Sequence, residues 1–513
     1  MNKPRVVAVI DIGSTAIRIL VSEVHGDGGT IRRIDRAARP VPLGRDVFVH
    51  GEISRESMLQ SIRILENFVE LAKGYGLKKS DLRVIATSAV REARNRDIFI
   101  DRVWIKTGLK INIVEGVEEN YLTYIAVDHA IRTIRPQFAR FNSLILEVGG
   151  GTTEVMLLKR GRMVAAHSLR LGTVRLEEQV RTGIDSPNHL DDYIRENLRI
   201  NLELLDTELP LSRIKFFVAV GGDARMAASF IPSTKRHDQF SIIERGDFET
   251  FVMRAQSYSM EKIVRRFGIT YNEAEGFVPA LLVCKYFLQA TSSDNLIIPD
   301  VSLREGVLMN LITGKSHKAE DQFHRQVRAS AESLGRKFHY DAEHARHVTR
   351  LALQLFDELR DDHGMDDQAR LLLEVAAVLH DIGYFIRGSG HHKHGQYLVA
   401  NSEIFGLSRQ DIRVVSNVVR YHRKSVPASS HSAYNALRTT QRMLVQKLAA
   451  ILRIADGLDR GHARRVSAVQ AELREADLVI HCSFTGDMSV EKNGALDKAD
   501  LFENVFGYRV LIQ

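Results

Sequence analysis

Two stretches of the chain repeat one layout, and that repetition restricts the fold more than any other feature. Leu144 to Met156 reads LILEVGGGTTEVM, an apolar strand that runs through Glu147 into Gly149, Gly150, Gly151, Thr152, Thr153 and Glu154. Near the start, VVAVIDIGSTAIRILVSEV runs an apolar strand through Asp11 into Gly13, Ser14 and Thr15, and a second apolar strand follows. Glycine has no Cβ to hold a ligand away, so consecutive glycine N–H groups can turn toward an anion while neighbouring hydroxyls add donors. One such turn alone is equally the chemistry of a tight hairpin. Two of matching layout, each with an acid at the strand end, favour a pair of phosphate cradles on either side of a cleft.

A chain of 513 residues is too long for one core and implies three or four domains at ~150 residues each. Its 44% hydrophobic and 26% charged residues exclude a disordered chain. The net charge of +7 favours anionic partners, although dispersed solvated lysines and arginines give the same total. The two cysteines, Cys284 and Cys482, are too few for a disulfide framework and fit a reducing compartment. Asp11 interrupts the opening apolar run, no cleavage pattern follows, and no stretch reaches the ~18–20 apolar residues that span a bilayer. A cytoplasmic protein is expected, with neither membrane nor nucleic acid as a partner. The oligomeric state is left open, a homodimer included.

The first half alternates strands and helices. PVPLGRDVFVHGEIS reads as a loop, and Ile62, Leu65, Phe68, Val69 and Ala72 recur at helical spacing up to Gly74 and Gly76. Val84 to Ala86 reads as a strand that Thr87 and Ser88 lead into a helix, with Arg91 and Arg94 on one face, either solvated or gripping a phosphate. Glu118 and Glu119 start another helix, where they complement its dipole or supply a general base. IKFFVAVGGDAR is a third strand ending in Gly221 and Gly222, a further phosphate or nucleotide position or a plain turn.

IDIGSTAIRILV, ATSAVREARN, IVEGVEEN, LEVGGGTTEV, VAVGGDAR and LREGVL occur in the order and approximate spacing of the exopolyphosphatase and guanosine pentaphosphate phosphohydrolase family, which Val6 to Leu311 resembles. The resemblance implies an α/β fold of two actin-like, ribonuclease-H-like lobes and a Mg²⁺-dependent hydrolase. By position it makes Glu119 the base, Glu154 the metal- and water-positioning acid, and Arg91 a phosphate-binding arginine. Mg²⁺ would be held by Asp11, Glu147 and Glu154, and phosphate by the two glycine-hydroxyl turns with Gly221 and Gly222. Thr15 and Ala16 stand where the family has Asn and Ser, Glu147 where it has Asp, and Asn120 where it has a small residue. NEAEGFVPAL lacks the arginine of the corresponding block.

From about Lys315 the chain becomes helical and rich in histidine. His344 begins a helix with Val348, Leu351, Ala352, Leu355 and Phe356 on one face, and His380 and Asp381 close another. HHKHGQYLVAN, VVRYHRKS and LAAILRIADGLDR follow. Imidazoles and carboxylates on converging helices are ligands for transition metals. The pattern resembles an HD-domain phosphohydrolase, with His344, His380, Asp381 and Asp456 as its ligand set, and His394 and His422 as the extra ligands of two-metal members. Mn²⁺, Fe²⁺ or Zn²⁺ would then bind there.

These readings imply lobe I over 1–125, lobe II over 126–314, an all-α HD-like domain over 315–465 and a small α+β domain over 466–513. The expected activity is exopolyphosphatase: water attack on the terminal phosphate of inorganic polyphosphate, with pppGpp as the other substrate. The alternatives are a polyphosphate or alarmone sensor with weak turnover, and a nucleotide phosphohydrolase using the histidine site.

Overall fold

A computed structural model of the chain describes residues 5–25, 30–181, 187–313 and 317–513. The chain divides into two compact units, Met1–Gln322 and Phe323–Gln513. In the first, β1 (Arg5–Ile12), β2 (Ala16–His25), β3 (Thr30–Pro40), β4 (Leu82–Ala86) and β5 (Ile111–Ile113) form a sheet of order β3-β2-β1-β4-β5. A second sheet contains β6 (Asn142–Val148), β7 (Thr153–Lys159), β8 (Arg162–Leu169), β9 (Ile214–Val220), β10 (Lys235–Arg236), β11 (Phe240–Glu244) and β12 (Asn295–Pro299), ordered β10-β11-β12-β9-β6-β7-β8. Its strands β8-β7-β6-β9-β12 repeat the first sheet: three antiparallel neighbours, then two parallel additions. This duplicated order is the arrangement of two actin-like lobes.

The alternation along β1 explains why its run is almost wholly apolar. Ala8, Ile10 and Ile12 enter a core with Leu65, Phe68, Phe99 and Val103 of two helices. Val7 and Val9 enter another with Leu122, Leu303, Val307 and Leu308. A sheet covered on both faces needs apolar residues at odd and even positions alike. Helix Leu303–Thr313 therefore covers the first lobe's sheet although it follows β12 of the second. The expected boundary at 125/126 falls inside helix Gly116–Ala130, because the two lobes are interleaved in sequence.

Two local readings need correction. The segment expected as a loop contains helix Leu43–His50, ended by the left-handed Gly51 at φ +79°. Helix Ser88–Glu92 stops before Arg94, whose Nη2 donates to the His50 carbonyl, so Arg91 and Arg94 do not share a helix face.

The second unit packs helices Ala342–Glu358, Asp367–Leu379, Arg409–Tyr421 and Thr439–Gly457 with a sheet of order β13-β14-β15, formed by β13 (Val466–Arg474), β14 (Asp477–Phe484) and β15 (Arg509–Ile512). Val466, Leu478, Ile480, Val510 and Ile512 join Leu351, Phe356, Leu373 and Ile451 in one core. The expected boundary at 465/466 separates no cores, since so short a segment cannot bury an apolar interior alone. Two helices, Ser489–Leu496 and Asp500–Phe506, lie between β14 and β15 in the chain. Among the described residues no helix is long and apolar enough to cross a membrane.

Candidate functional site

The repeated sequence layout becomes a repeated turn. Gly13 N–H donates to the Ala16 carbonyl at 3.1 Å, and Gly149 N–H donates to that of Thr152 at 2.9 Å. A helix starts against each turn: Gly44 N–H donates to the Ser14 carbonyl at 2.7 Å and Val174 N–H to that of Gly150 at 2.9 Å. A Cβ on Gly150 would come within 2.8 Å of Ser14 Cβ, so the turns meet closely only because this position is glycine.

Between them lies a cleft of ≈ 240 Å³, lined by Asp11, Gly13, Ser14, Thr15, Gly149, Gly150, Thr152, Gly221, Gly222, Glu119 and Glu147. Gly151 and Thr153 are not part of its wall, contrary to expectation. Thr153 is wholly buried and its hydroxyl donates to the Leu171 carbonyl. The α-carbon of Gly151 faces Phe48 and Ser88, and its carbonyl accepts from Arg175 Nε at 2.8 Å.

Glu119 occupies the first turn of helix Gly116–Ala130 and reaches the cleft, whereas Glu118 lines a different groove beside Trp104 and Lys110. Burial pushes Glu119 up to about 7; Arg91 pulls against this, while Glu147 and Asp11 add to it. Arg91 is paired with Glu119: its Nη1 lies 3.3 Å from Glu119 Oε2 and 2.6 Å from the Val114 carbonyl. Glu154 is 1% exposed, and both its oxygens are engaged, Oε2 by Asn120 Nδ2 at 2.9 Å and Oε1 by Ser168 Oγ at 2.6 Å. It stands outside the cleft wall, so its expected place among the metal ligands is not met. Burial, then Glu119, raise it well above the ordinary carboxylate value.

The wall also holds Arg18, Arg225 and Arg304, to which the sequence reading assigned no role. All three were visible inside the quoted motifs, but nothing local shows that residues so distant in sequence converge. Arg304 Nη1 is 4.0 Å from Asp11 Oδ2, and Arg225 Nη1 donates to the Val301 carbonyl at 2.7 Å. Asp11 Oδ1 is buried and, among the described residues, has no hydrogen-bond partner. Glu147 Oε2 accepts from Thr123 Oγ1 at 2.6 Å. An orphaned carboxylate oxygen beside a second carboxylate is a donor set that fits Mg²⁺.

In the second unit, helix Ala342–Glu358 supplies His344, the end of helix Asp367–Leu379 supplies His380 and Asp381, the end of Arg409–Tyr421 supplies His422, and Thr439–Gly457 supplies Asp456. These five expected residues meet. His394 does not join them: helix His391–Ala400 places His391 against Asp381 and His422 instead. Three helical residues advance a side chain about 4.5 Å along the axis, enough to exclude His394.

The Ppx/GppA phosphatase family model matches residues 20–314, and that of Ppx/GppA phosphatase domain III matches residues 327–504. A guanosine-5′-triphosphate,3′-diphosphate pyrophosphatase of Pseudoalteromonas translucida is 24% identical over 453 residues, covering 88% of this chain and 86% of that protein. A protein of the same name from Aliivibrio fischeri is 24% identical over 486 residues, 94% of this chain and 92% of its own. The crystal structure of the Aquifex aeolicus Ppx/GppA family member shares the fold, with a TM-score of 0.51 at 22% identity over 61% of this chain and 99% of that one. So does an exopolyphosphatase from Cytophaga hutchinsonii, with a TM-score of 0.55 at 19% identity over 60% of this chain and 98% of that one. Its first family model matches more than half of the residues and spans most of the unit with the facing turns and Glu119; the chain belongs to the Ppx/GppA phosphatase family.

Proposed function

We propose that the cleft of the first unit hydrolyses the terminal phosphoanhydride of inorganic polyphosphate, and equally the terminal 5′-phosphoanhydride of pppGpp. The observation that carries this reading is Glu119, a carboxylate raised toward neutrality in a cleft lined by Arg18, Arg225 and Arg304. A base with its pKa near the working pH combines a useful ionised fraction with a strong pull on a proton. The names of the curated relatives point to pppGpp. The shared exopolyphosphatase fold leaves the longer polymer equally in play.

The arginines and the hydroxyls of Ser14, Thr15 and Thr152 hold the oxygens of the terminal phosphate. Glu119 accepts a proton from water as the water oxygen bonds to phosphorus. The bond from phosphorus to the bridging oxygen breaks, and that oxygen leaves with the electron pair on the shortened chain. Positioning and charge stabilisation supply most of the rate in such a transfer. Asp11 and Glu147 would hold a Mg²⁺ ion, which would supply neutralisation of the phosphate charge. Arg91 holds Glu119 in place, and Glu154, through Asn120, steadies the helix turn that carries it.

Phosphate release from long-chain polyphosphate and from pppGpp tests the reading, with Mg²⁺, with Mn²⁺ and after chelation. Steady release that needs the divalent ion is expected. Tight binding of either compound without release would overturn hydrolysis and make the cleft a sensor.

A further inference from the structure

The first sheet ends on one side at β5, and that edge is open. β5 pairs in parallel with β4 through Ile111, Asn112 and Ile113, and among the described residues no strand lies beyond it. An open edge presents backbone donors and acceptors to any chain that can lie along it. Beside β5 runs a groove of ≈ 540 Å³ within the first unit, floored by the apolar side chains of Leu82, Ile111, Leu122 and Val307. Helix Arg96–Thr107 stops against it at Gly108, which turns the chain at φ +69° and leaves Trp104 on the rim, 55% exposed. Trp104 is the chain's one tryptophan. A large aromatic ring left half in water beside an apolar floor is the kind of anchor that protein interfaces cover.

The rim is basic. Lys79, Arg83 and Lys110 stand exposed along the groove. A Cβ on Gly108 would come within 2.8 Å of Lys79 Nζ, so that ammonium lies over the turn that leads into β5. Arg83 Nη1 donates to the carbonyls of Ser80 at 2.9 Å and Leu82 at 3.4 Å, and Lys110 directly precedes the strand. Among the described residues none of the three is ion-paired with a carboxylate. The lining contains one acid, Glu118, whose carboxylate accepts from the Glu115 N–H at the start of its own helix. Cations beside an open edge deter neutral and basic strands and attract an acidic one.

We infer that this groove docks an extended acidic segment of a partner protein, which adds a strand along β5, sets an apolar side chain on the floor beside Trp104 and meets Lys79, Arg83 and Lys110 with its carboxylates. Successive side chains of an extended segment point to opposite faces, so alternate residues serve the floor and the rim. The groove and the Glu119 cleft have no lining residue in common, and the docking stands or falls apart from the activity proposed for that cleft.

The test uses the full-length protein and the emission of Trp104, which reports on the groove with no other tryptophan in the chain. Main-chain pairing and charge supply the recognition, so a nonapeptide of alternating Glu and Val serves as the probe. Beside it stand the same peptide with Lys for Glu and the acidic peptide with its central residues replaced by Pro. The acidic peptide is expected to shift the emission to the blue saturably, and the basic peptide to leave it unchanged. Proline, which removes backbone donors, should weaken the acidic peptide. Lys79→Glu/Lys110→Glu, a change at two exposed positions, should weaken it by about tenfold and admit the basic peptide, because two attractions become two repulsions. No saturable shift, equal shifts from peptides of opposite charge, or unaltered binding by the reversed variant overturns the proposal; equal binding of the proline peptide overturns strand pairing. Acrylamide quenching without peptide separates the other occupants. A Trp104 shielded at every protein concentration assigns the groove to a segment of this chain, and shielding that grows with concentration and sedimenting mass assigns it to a second copy; either result overturns a foreign partner.

Discussion

Arg91 Nη1 stands 3.3 Å from Glu119 Oε2 and 2.6 Å from the carbonyl of Val114. The guanidinium that the family resemblance suggests for phosphate is therefore committed to Glu119, at 12% side-chain exposure. The two partners of this ion pair come from separate elements, helices Ser88–Glu92 and Gly116–Ala130.

Arg91→Ala should consequently act on the pH profile. Arg91 lowers the pKa of Glu119, so its removal raises it, and the acid limb of kcat/KM, which rises as Glu119 loses its proton, should move to higher pH. KM at high pH should change little. An unmoved limb with a raised KM would return Arg91 to the phosphate.

Glu119→Gln should lower kcat by about 10²- to 10⁴-fold, the usual contribution of a general base, with substrate binding retained. It also carries a signed effect on stability. The folded-state pKa of about 7 lies above the ordinary 4.5, so ionisation of Glu119 costs stability as pH rises through that window. Thermal melts in the absence of metal should show the variant gaining on the parent between those pH values; a constant difference would show that Glu119 ionises without cost.

Arg304→Ala should raise KM. Losing a charged contact costs about 1.5–3 kcal/mol, roughly a 10- to 150-fold change. The parent's KM should itself rise with salt, since attraction between charges is screened over about 10 Å at 0.1 M. A KM that is flat across ionic strength, in parent and variant alike, would remove the arginine wall from substrate binding.

Asn120→Ala should lower both Tm and kcat. Asn120 and Glu154 are each 1% exposed, and an acceptor stripped of its buried donor costs about 1–3 kcal/mol. Glu119 is its neighbour on the same helix turn. Wild-type kcat with a lowered Tm would confine the pair to a structural role.

Gly306→Ala should be more damaging than most helix glycine substitutions. A Cβ at 306 would sit 2.2 Å from the Leu122 carbonyl oxygen, so helices Leu303–Thr313 and Gly116–Ala130 must separate to admit it. Calorimetry should show a Tm several degrees lower, with a loss of kcat as Glu119 shifts; an unchanged Tm would mean that the helix contact is looser than drawn.

The strands and the two turns were determined by sequence alone, because they depend on local chemistry, whereas the choice of Glu119 over Glu118 came from a family resemblance. The apolar run through Asp11 and that through Glu147 admit little except paired strands, and glycine beside hydroxyl residues admits little except a tight polar turn. The doublet of His380 and Asp381 was legible for the same reason. Tertiary structure decided which of these groups meet. Arg18, Arg225 and Arg304 come from three distant segments, and only folding brings them to one wall. His391 displaced His394 because reach along a helix depends on where that helix begins in space. Glu154 lost its place in the cleft to Asn120 and Ser168, which engage both its oxygens. Chain position cannot reveal such competition, because a buried carboxylate's role depends on which partners reach it first, and those partners are neighbours only in three dimensions.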